Sequence, residues 1–248
     1  MAETIVLLVD DLMFLPRLEG TLVKLGYQPL PATNETTLMQ ALNTTPVLVI
    51  VDLFSQNFDW QTLLESIQRT HTYVPVLGFG PHVDLQLREK ALVAGCIMVV
   101  GRGAMAAQLP QLVKKYKRLV DLIACQQPLP PQLLSGIELF NQRQYFECHE
   151  VIEEAWREEP GPIREMYQGI LQIGVACYHL QRQNRRGALK LLERGIPKIA
   201  RFAPVCMGLN LGKLLIEARL LQQKLIHSGP DWPQTFDDNL LPVIELSK

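Results

Sequence analysis

Five short apolar runs, Ile5 to Val9, Tyr27 to Leu30, Val47 to Val51, Val74 to Phe79 and Cys96 to Val100, recur along the N-terminal part of the chain. Between them apolar residues fall three or four apart, as in Leu15, Leu18, Leu22 and Leu25, or Leu63, Leu64 and Ile67. A run of period two or none reads as a strand, and a period near 3.6 reads as a helix. Strand and helix therefore alternate. The unbroken apolarity of Val47 to Val51 requires cover on both faces, which a parallel sheet flanked by helices supplies. The expectation is an α/β domain, doubly wound around a five-stranded parallel sheet in the order 2-1-3-4-5.

The last helix of this half is expected to run through Leu109, Leu112, Val113, Tyr116, Leu119, Val120 and Ile123, and the chain then meets Gln126-Gln127-Pro128-Leu129-Pro130-Pro131. Proline lacks the backbone N–H and clashes with the preceding turn, so a helix cannot continue there. The organisation expected is an α/β domain over 1–124, a proline-rich linker over 125–131, and a separate all-helical domain over 132–248. Its helices are read as Gln132 to Asn141, Tyr145 to Glu158, Ile163 to Arg182, Arg186 to Arg201 and Leu211 to His227. Two stretches, Phe140 to Trp156 and Leu180 to Ile196, share a helix–turn–helix pattern.

The chain has 248 residues, 48% hydrophobic and 20% charged, enough for two buried cores and unlike a disordered or membrane composition. No apolar run reaches the roughly 18 residues of a membrane span, and Met-Ala-Glu lacks the basic start of a signal peptide, so a cytoplasmic location without membrane contact is expected. Lys and Arg against Asp and Glu number 10 against 11 up to residue 126 and 14 against 14 beyond it. Neither half carries the basic footprint that nucleic-acid binding needs. Cys96, Cys125, Cys148, Cys177 and Cys206 are scattered and form no C-x-x-C pair, which points to reduced, packed thiols.

In a doubly wound sheet, ligands gather at the carboxyl ends of the strands. Asp10 and Asp11 follow the first strand and Asp52 follows the third. Such oxygen ligands suit Mg²⁺, and a carboxylate beside it can accept a phosphoryl group. These residues resemble the receiver domain of two-component response regulators, with Asp10 and Asp11 as its acidic pair and Asp52 as its phospho-acceptor. The resemblance implies a hydroxyl after the fourth strand and a lysine after the fifth. Here those positions fall on Gly80 and Arg102. Glycine has no hydroxyl, and a planar guanidinium does not replace an ammonium in a tight site. The three readings left are regulated phosphorylation, retained binding of a metal or a partner, and plain strand-end surface acids.

In the helical half, Tyr145, His149, Ile152 and Trp156 fall on one face of a helix, with Glu150 and Glu153 on the adjoining face. The next helix carries an apolar stripe, Met166, Ile170, Ile173, Cys177 and Leu180, and a second stripe of Gln168, Gln172 and His179. A helix apolar around most of its circumference should be central, so these six polar residues are expected to converge on one buried site. That site is either a hydrogen-bonded network, a ligand pocket, or a transition-metal centre with His149, Glu153 and His179 as ligands for Zn²⁺, Fe²⁺ or Mn²⁺. The second histidine of the H-E-x-x-H zinc motif is absent. Tyr145-Phe146-Glu147-x-His149-Glu150-x-x-Glu153-x-x-Trp156, then Gln168-Gly169-x-x-Gln172, then His179-x-x-x-x-Asn184-x-x-Gly187-Ala188 resemble the signature of the all-helical bacterial DUF family 309. That resemblance implies a fold and pocket residues but no reaction. With a receiver-like partner it is compatible with a cyanobacterial or related bacterial source.

Three functions stay open at this point. The first is a non-enzymatic signalling adaptor whose degenerate receiver binds a protein partner or itself. The second is a metal-dependent, hydrolase-like enzyme built on the His/Glu cluster, and the third a phosphorylation-competent response regulator.

Overall fold

The computed structural model describes residues 2–71, 73–80, 85–119, 123–228 and 238–247. They form two compact units, Met1–Arg118 and Leu119–Lys248.

In the first unit strands β1 (Thr4–Leu8), β2 (Gln28–Ala32), β3 (Leu48–Asp52), β4 (Val76–Gly80) and β5 (Met98–Gly101) alternate with helices α1 (Leu15–Lys24), α2 (Glu35–Leu42), α3 (Trp60–Thr70), α4 (Leu85–Ala94) and α5 (Arg102–Tyr116). All strand pairs are parallel, in the order β2-β1-β3-β4-β5. The doubly wound sheet expected from the apolar runs is present. Val6, Leu8, Val49 and Val51 pack with Leu38, Leu42, Leu63, Leu64 and Ile67 of α2 and α3. The alternate residues Ile5, Leu7 and Ile50 are also fully buried and face the other side. Local chemistry fixes the helix starts: Asn34 and Thr37 form a reciprocal capping box at α2, and Asp59 accepts from Gln61 N at α3. The placement of β2 at an edge follows from Pro29 and Pro31. Gln28 N–H points at β1, donating to Glu3 O at 2.9 Å, so the residues of opposite parity, the two prolines, face away where no ladder bond is needed.

The second unit contains α6 (Pro131–Asn141), α7 (Tyr145–Glu158), α8 (Arg164–Gln181), α9 (Arg185–Ala200), a hairpin of β6 (Val205–Cys206) and β7 (Leu209–Asn210), and α10 (Leu211–His227). The helices agree with the sequence expectation to within a residue at each end. Helix α8 is central, packed against both α7 and α9. Glycines set the approach: a Cβ on Gly195 would lie 3.1 Å from the Gly169 carbonyl, and one on Gly169 would lie 2.8 Å from Ile199 Cδ1. The pattern repeat has a backbone counterpart. Arg143 and Gln183, 40 positions apart, both take left-handed φ (67° and 58°) after their helices, and Gln144 N and Asn184 N bond back to Leu139 O and His179 O respectively. Both are helix-ending turns of the Schellman type.

Three features depart from expectation. Helix α5 stops at Tyr116, because Lys117 turns extended and Arg118 N donates to Val47 O. Ile123 lies in a short 3-10 turn, Ile123–Gln126, and Val120 lies outside the described residues. The unit boundary falls earlier than expected: Leu119 N, ahead of the segment 125–131, donates to Arg201 O, and Cys125 O at the start of that segment accepts from Met207 N, both at 2.7 Å within the helical unit. Cys125 and Cys206 form a disulfide, which corrects the expectation of five reduced thiols; Cys96, Cys148 and Cys177 are free and buried. The two bonded cysteines are 81 positions apart, and spacing cannot reveal such a pairing. No helix among the described residues is long and apolar enough to cross a membrane.

Closing so long a loop restricts the unfolded chain, a term worth about 2–4 kcal/mol. Cys125→Ser, or reductant on the native chain, is expected to lower the stability of the helical unit on that order and to speed proteolysis within 119–131. Thermal melts and a timed protease digest check this, and identical behaviour with and without reductant would refute it.

Candidate functional site

Parallel pairing brings the carboxyl ends of β1, β3, β4 and β5 to one edge of the sheet, and the sequence places Asp10 and Asp11, Asp52, Gly80 and Arg102 there. Asp11 Oδ1 accepts from Met13 N and Phe14 N, each at 2.9 Å, which folds the chain into the start of α1. Its Oδ2 accepts from Arg102 Nη1 at 2.5 Å. Asp52 is buried; its Oδ1 accepts from Phe54 N at 3.0 Å and its Oδ2 from Arg102 Nη2 at 2.8 Å. Asp10 is held apart from this pair by Ser55 Oγ and by Asn57 Nδ2 at 2.8 Å.

Arg102 is the first residue of α5, so its side chain starts at the end of β5 and reaches both carboxylates at once. Its guanidinium sits 5.1 Å from the ring centroid of Phe14 and 5.9 Å from that of Phe79. A flat, delocalised cation suits both the aromatic seat and the two-acid clamp, where an ammonium would satisfy only one. The backbone amides of Phe14 and Met13 hold the Asp11 carboxyl below its ordinary range, with Arg102 adding to them. Burial pushes Asp52 up, and the Phe54 amide and Arg102 oppose that rise without cancelling it.

The place of the hydroxyl implied by the receiver resemblance is filled by an aromatic ring. A Cβ on Gly80 would lie 2.5 Å from Phe54 Cδ2 and 2.7 Å from Cε2. A serine or threonine at 80 would thus have to displace Phe54. The donor set does not fit Mg²⁺ either: Asp11 and Asp52 spend an oxygen each on Arg102, and Asp10 is engaged by Ser55 and Asn57. Among the described residues no group of three or more His, Cys, Asp or Glu side chains is arranged to hold a metal ion. That finding covers His149, Glu153 and His179 as well.

The six polar residues of the helical unit are not buried: His149, Glu153, Gln168, Gln172 and His179 are half-buried, and Glu150 is exposed. Their partners are separate. Glu153 pairs with Arg157 on its own helix, Gln172 Oε1 accepts from Lys198 Nζ at 2.9 Å, and His179 Nδ1 meets Asn184 Nδ2 at 2.9 Å. The burial expected from helical arithmetic is therefore absent, and Glu153, Gln172 and His179 each bond to a residue outside the six. Gln168, Gln172 and His179 all lie on α8, and Lys198 of α9 reaches Gln172, its long side chain bonding an acceptor while its ammonium stays wet.

Much of the signature becomes legible as packing. Asn184 Oδ1 caps α9 by accepting from Gly187 N at 2.9 Å while His179 orients its amide, and a Cβ on Gly187 would lie 2.9 Å from His179 Nδ1. Tyr145 is buried edge-on to Phe140 with its hydroxyl accepting from Arg143. Burial pushes the Cys148 and Cys177 thiols up to about 12, which leaves them protonated and poor nucleophiles at neutral pH. Ser55, Asn57, Phe14, Phe54 and Phe79 were missed in the sequence because an aromatic or a small polar residue near a strand end carries no pattern of its own.

The parallel sheet in the order 2-1-3-4-5 with helices on both faces gives the first unit a flavodoxin- or receiver-like fold. Residues 133–191 match the family model described as "Domain of unknown function (DUF309)". A stretch of 82 residues, 32% of the chain, is 42% identical to "Uncharacterized protein YpuF" of Bacillus subtilis (strain 168), and the match spans 47% of that protein's length. The chain thus spans about half the length of the curated relative it matches. Among solved structures, a response regulator from Thermotoga maritima is similar at 23% identity and TM-score 0.41, covering 46% of this chain and 97% of that one. The receiver domain of NtrX from Brucella abortus is similar at 22% identity and TM-score 0.41, covering 45% and 95%.

Removing the clamp strands a buried carboxylate, which costs about 1–3 kcal/mol for a partly exposed partner. Arg102→Met is expected to destabilise the first unit on that scale near pH 7. Without the guanidinium the folded pKa of Asp52 rises further above its unfolded value, so stability falls as pH climbs between the two. The deficit against the native chain should therefore shrink in acid, and Asp52→Asn in the same background should recover most of it. Urea melts from pH 4 to pH 8 check this; a deficit independent of pH would contradict the clamp.

Proposed function

We propose that this chain is a non-enzymatic signalling adaptor whose receiver-like unit works without phosphorylation and whose helical unit is the effector. The observation that carries the reading is the Arg102 bridge, 2.5 Å to Asp11 and 2.8 Å to Asp52. In a working phospho-site these carboxylates would have to be free for a cation and for incoming phosphoryl oxygens. Here an internal cation already bridges them, and the ring of Phe54 takes the space of the hydroxyl that would follow the phosphate. A switch needs an element with two arrangements biased by the modification. This site has a cation of its own built in.

The rim of the site supports partner binding. Leu12 and Met13, in the turn between β1 and α1, are 85% and 88% exposed, beside the Asp11 clamp. A protein partner, or a second copy of the chain, can bury such side chains beside a carboxylate pair that Arg102 already bridges.

Beryllofluoride with Mg²⁺, or acetyl phosphate, is expected to leave amide NMR spectra and oligomeric state unchanged. An acylphosphate on Asp52 at full occupancy, with a shift in oligomeric state, would overturn the proposal and restore the regulated-receiver reading.

A further inference from the structure

The C-terminal segment 241–247 lies extended on the helical unit, and side chains of other elements hold much of its backbone. The Asn141 carboxamide donates to Ile244 O and accepts from Ile244 N, both at 2.8 Å. Arg143 Nη1 donates to Pro242 O at 3.0 Å and Leu241 O at 3.3 Å. Glu217 Oε2 accepts from Val243 N at 2.9 Å. Beyond these, Asn210 N donates to Glu245 O, Ser247 N donates to Gly208 O, and Leu246 pairs with Leu209 as an antiparallel bridge. Lys213 Nζ meets the Glu245 carboxylate at 2.6 Å.

Leu241, Pro242 and Ile244 are buried, Val243 is half-buried, and Glu245 and Leu246 are exposed. A carboxamide that both donates to and accepts from one residue imitates a neighbouring strand. Main-chain bonds of this kind hold any extended peptide, and the pockets under alternate side chains choose among them. The groove is built from α6, the α6–α7 turn, the β6–β7 hairpin and α10, all of which precede the tail in sequence. None of the acidic-site residues takes part.

We propose that this groove is a peptide-binding site, and that the chain's own tail is its resident, displaceable occupant. The partner it fits is an extended segment of another protein with an apolar–proline–any–apolar sequence, the chemistry of Leu241-Pro242-Val243-Ile244. Covalent attachment keeps the tail at high local concentration, so a foreign peptide binds only when it competes or when the tail is released.

The test uses the full chain with a specific protease sequence inserted in 229–237, cut after folding, and a fluorescent peptide of sequence Asn239 to Ser247. The peptide is expected to exchange into the cut chain and saturate at one per chain. The uncut chain should bind it at least about tenfold more weakly because the tethered tail competes. Loss of the paired hydrogen bonds in Asn141→Ala should weaken binding to the cut chain roughly tenfold, and Ile244→Asp in the peptide should abolish it. The peptide variant gives the same reading if the protein variant does not fold. A cut chain that loses its helical thermal transition, or that keeps its tail without exchange, would make the segment a structural element and overturn the proposal. A concentration-dependent dimer of the uncut chain that the free peptide dissociates would assign the groove to a second copy, and would equally overturn a foreign partner.

Discussion

The guanidinium of Arg102 is the charge on which the carboxyl edge of the sheet depends. Parallel topology forces the ends of β1 and β3 together and with them Asp11 and Asp52, one buried and one capping a turn. Like charges so placed repel, and a buried carboxylate is costly unless paired. A bidentate cation seated on Phe14 and Phe79 resolves both problems with one side chain. Because that side chain begins at the start of α5, the clamp also joins the last strand-to-helix junction to the first.

The helical unit solves a different problem, close approach. Small residues at Gly169 and Gly195 bring α8 and α9 into backbone contact, and dispersion between well-packed surfaces rewards that approach. The Cys125–Cys206 bond then fastens the entering chain to the β6–β7 hairpin, the same hairpin that pairs with the tail. The two ends of the unit are thereby tied to one short element.

Periodicity made most of the fold legible: the run Val47 to Val51 announced a strand covered on both faces, and Tyr145 to Glu158 emerged as a helix with the bounds its pattern suggested. The acidic pair and Asp52 were also readable, because strand ends can be located from strand spacing. The burial of the helical-unit polar residues was not. Helical arithmetic gives a face but not its cover, and Lys198 on α9 and Asn184 at its cap supplied partners that no stripe on α8 could reveal. Gly80 read as a missing hydroxyl, whereas the ring of Phe54 that fills its place depends on how the β3–α3 loop folds back. The tail escaped notice for a related reason: its backbone is recognised by side chains more than twenty residues away, at Asn141, Arg143 and Glu217.

The two prolines of β2 have a further consequence. With Pro29 and Pro31 facing outward, that margin offers carbonyls but no N–H at alternate positions, so another strand cannot be added there with a complete ladder. The opposite margin is β5, the strand that delivers Arg102. Two imino acids thereby make the β2 margin of this unit a poor template for a neighbouring strand.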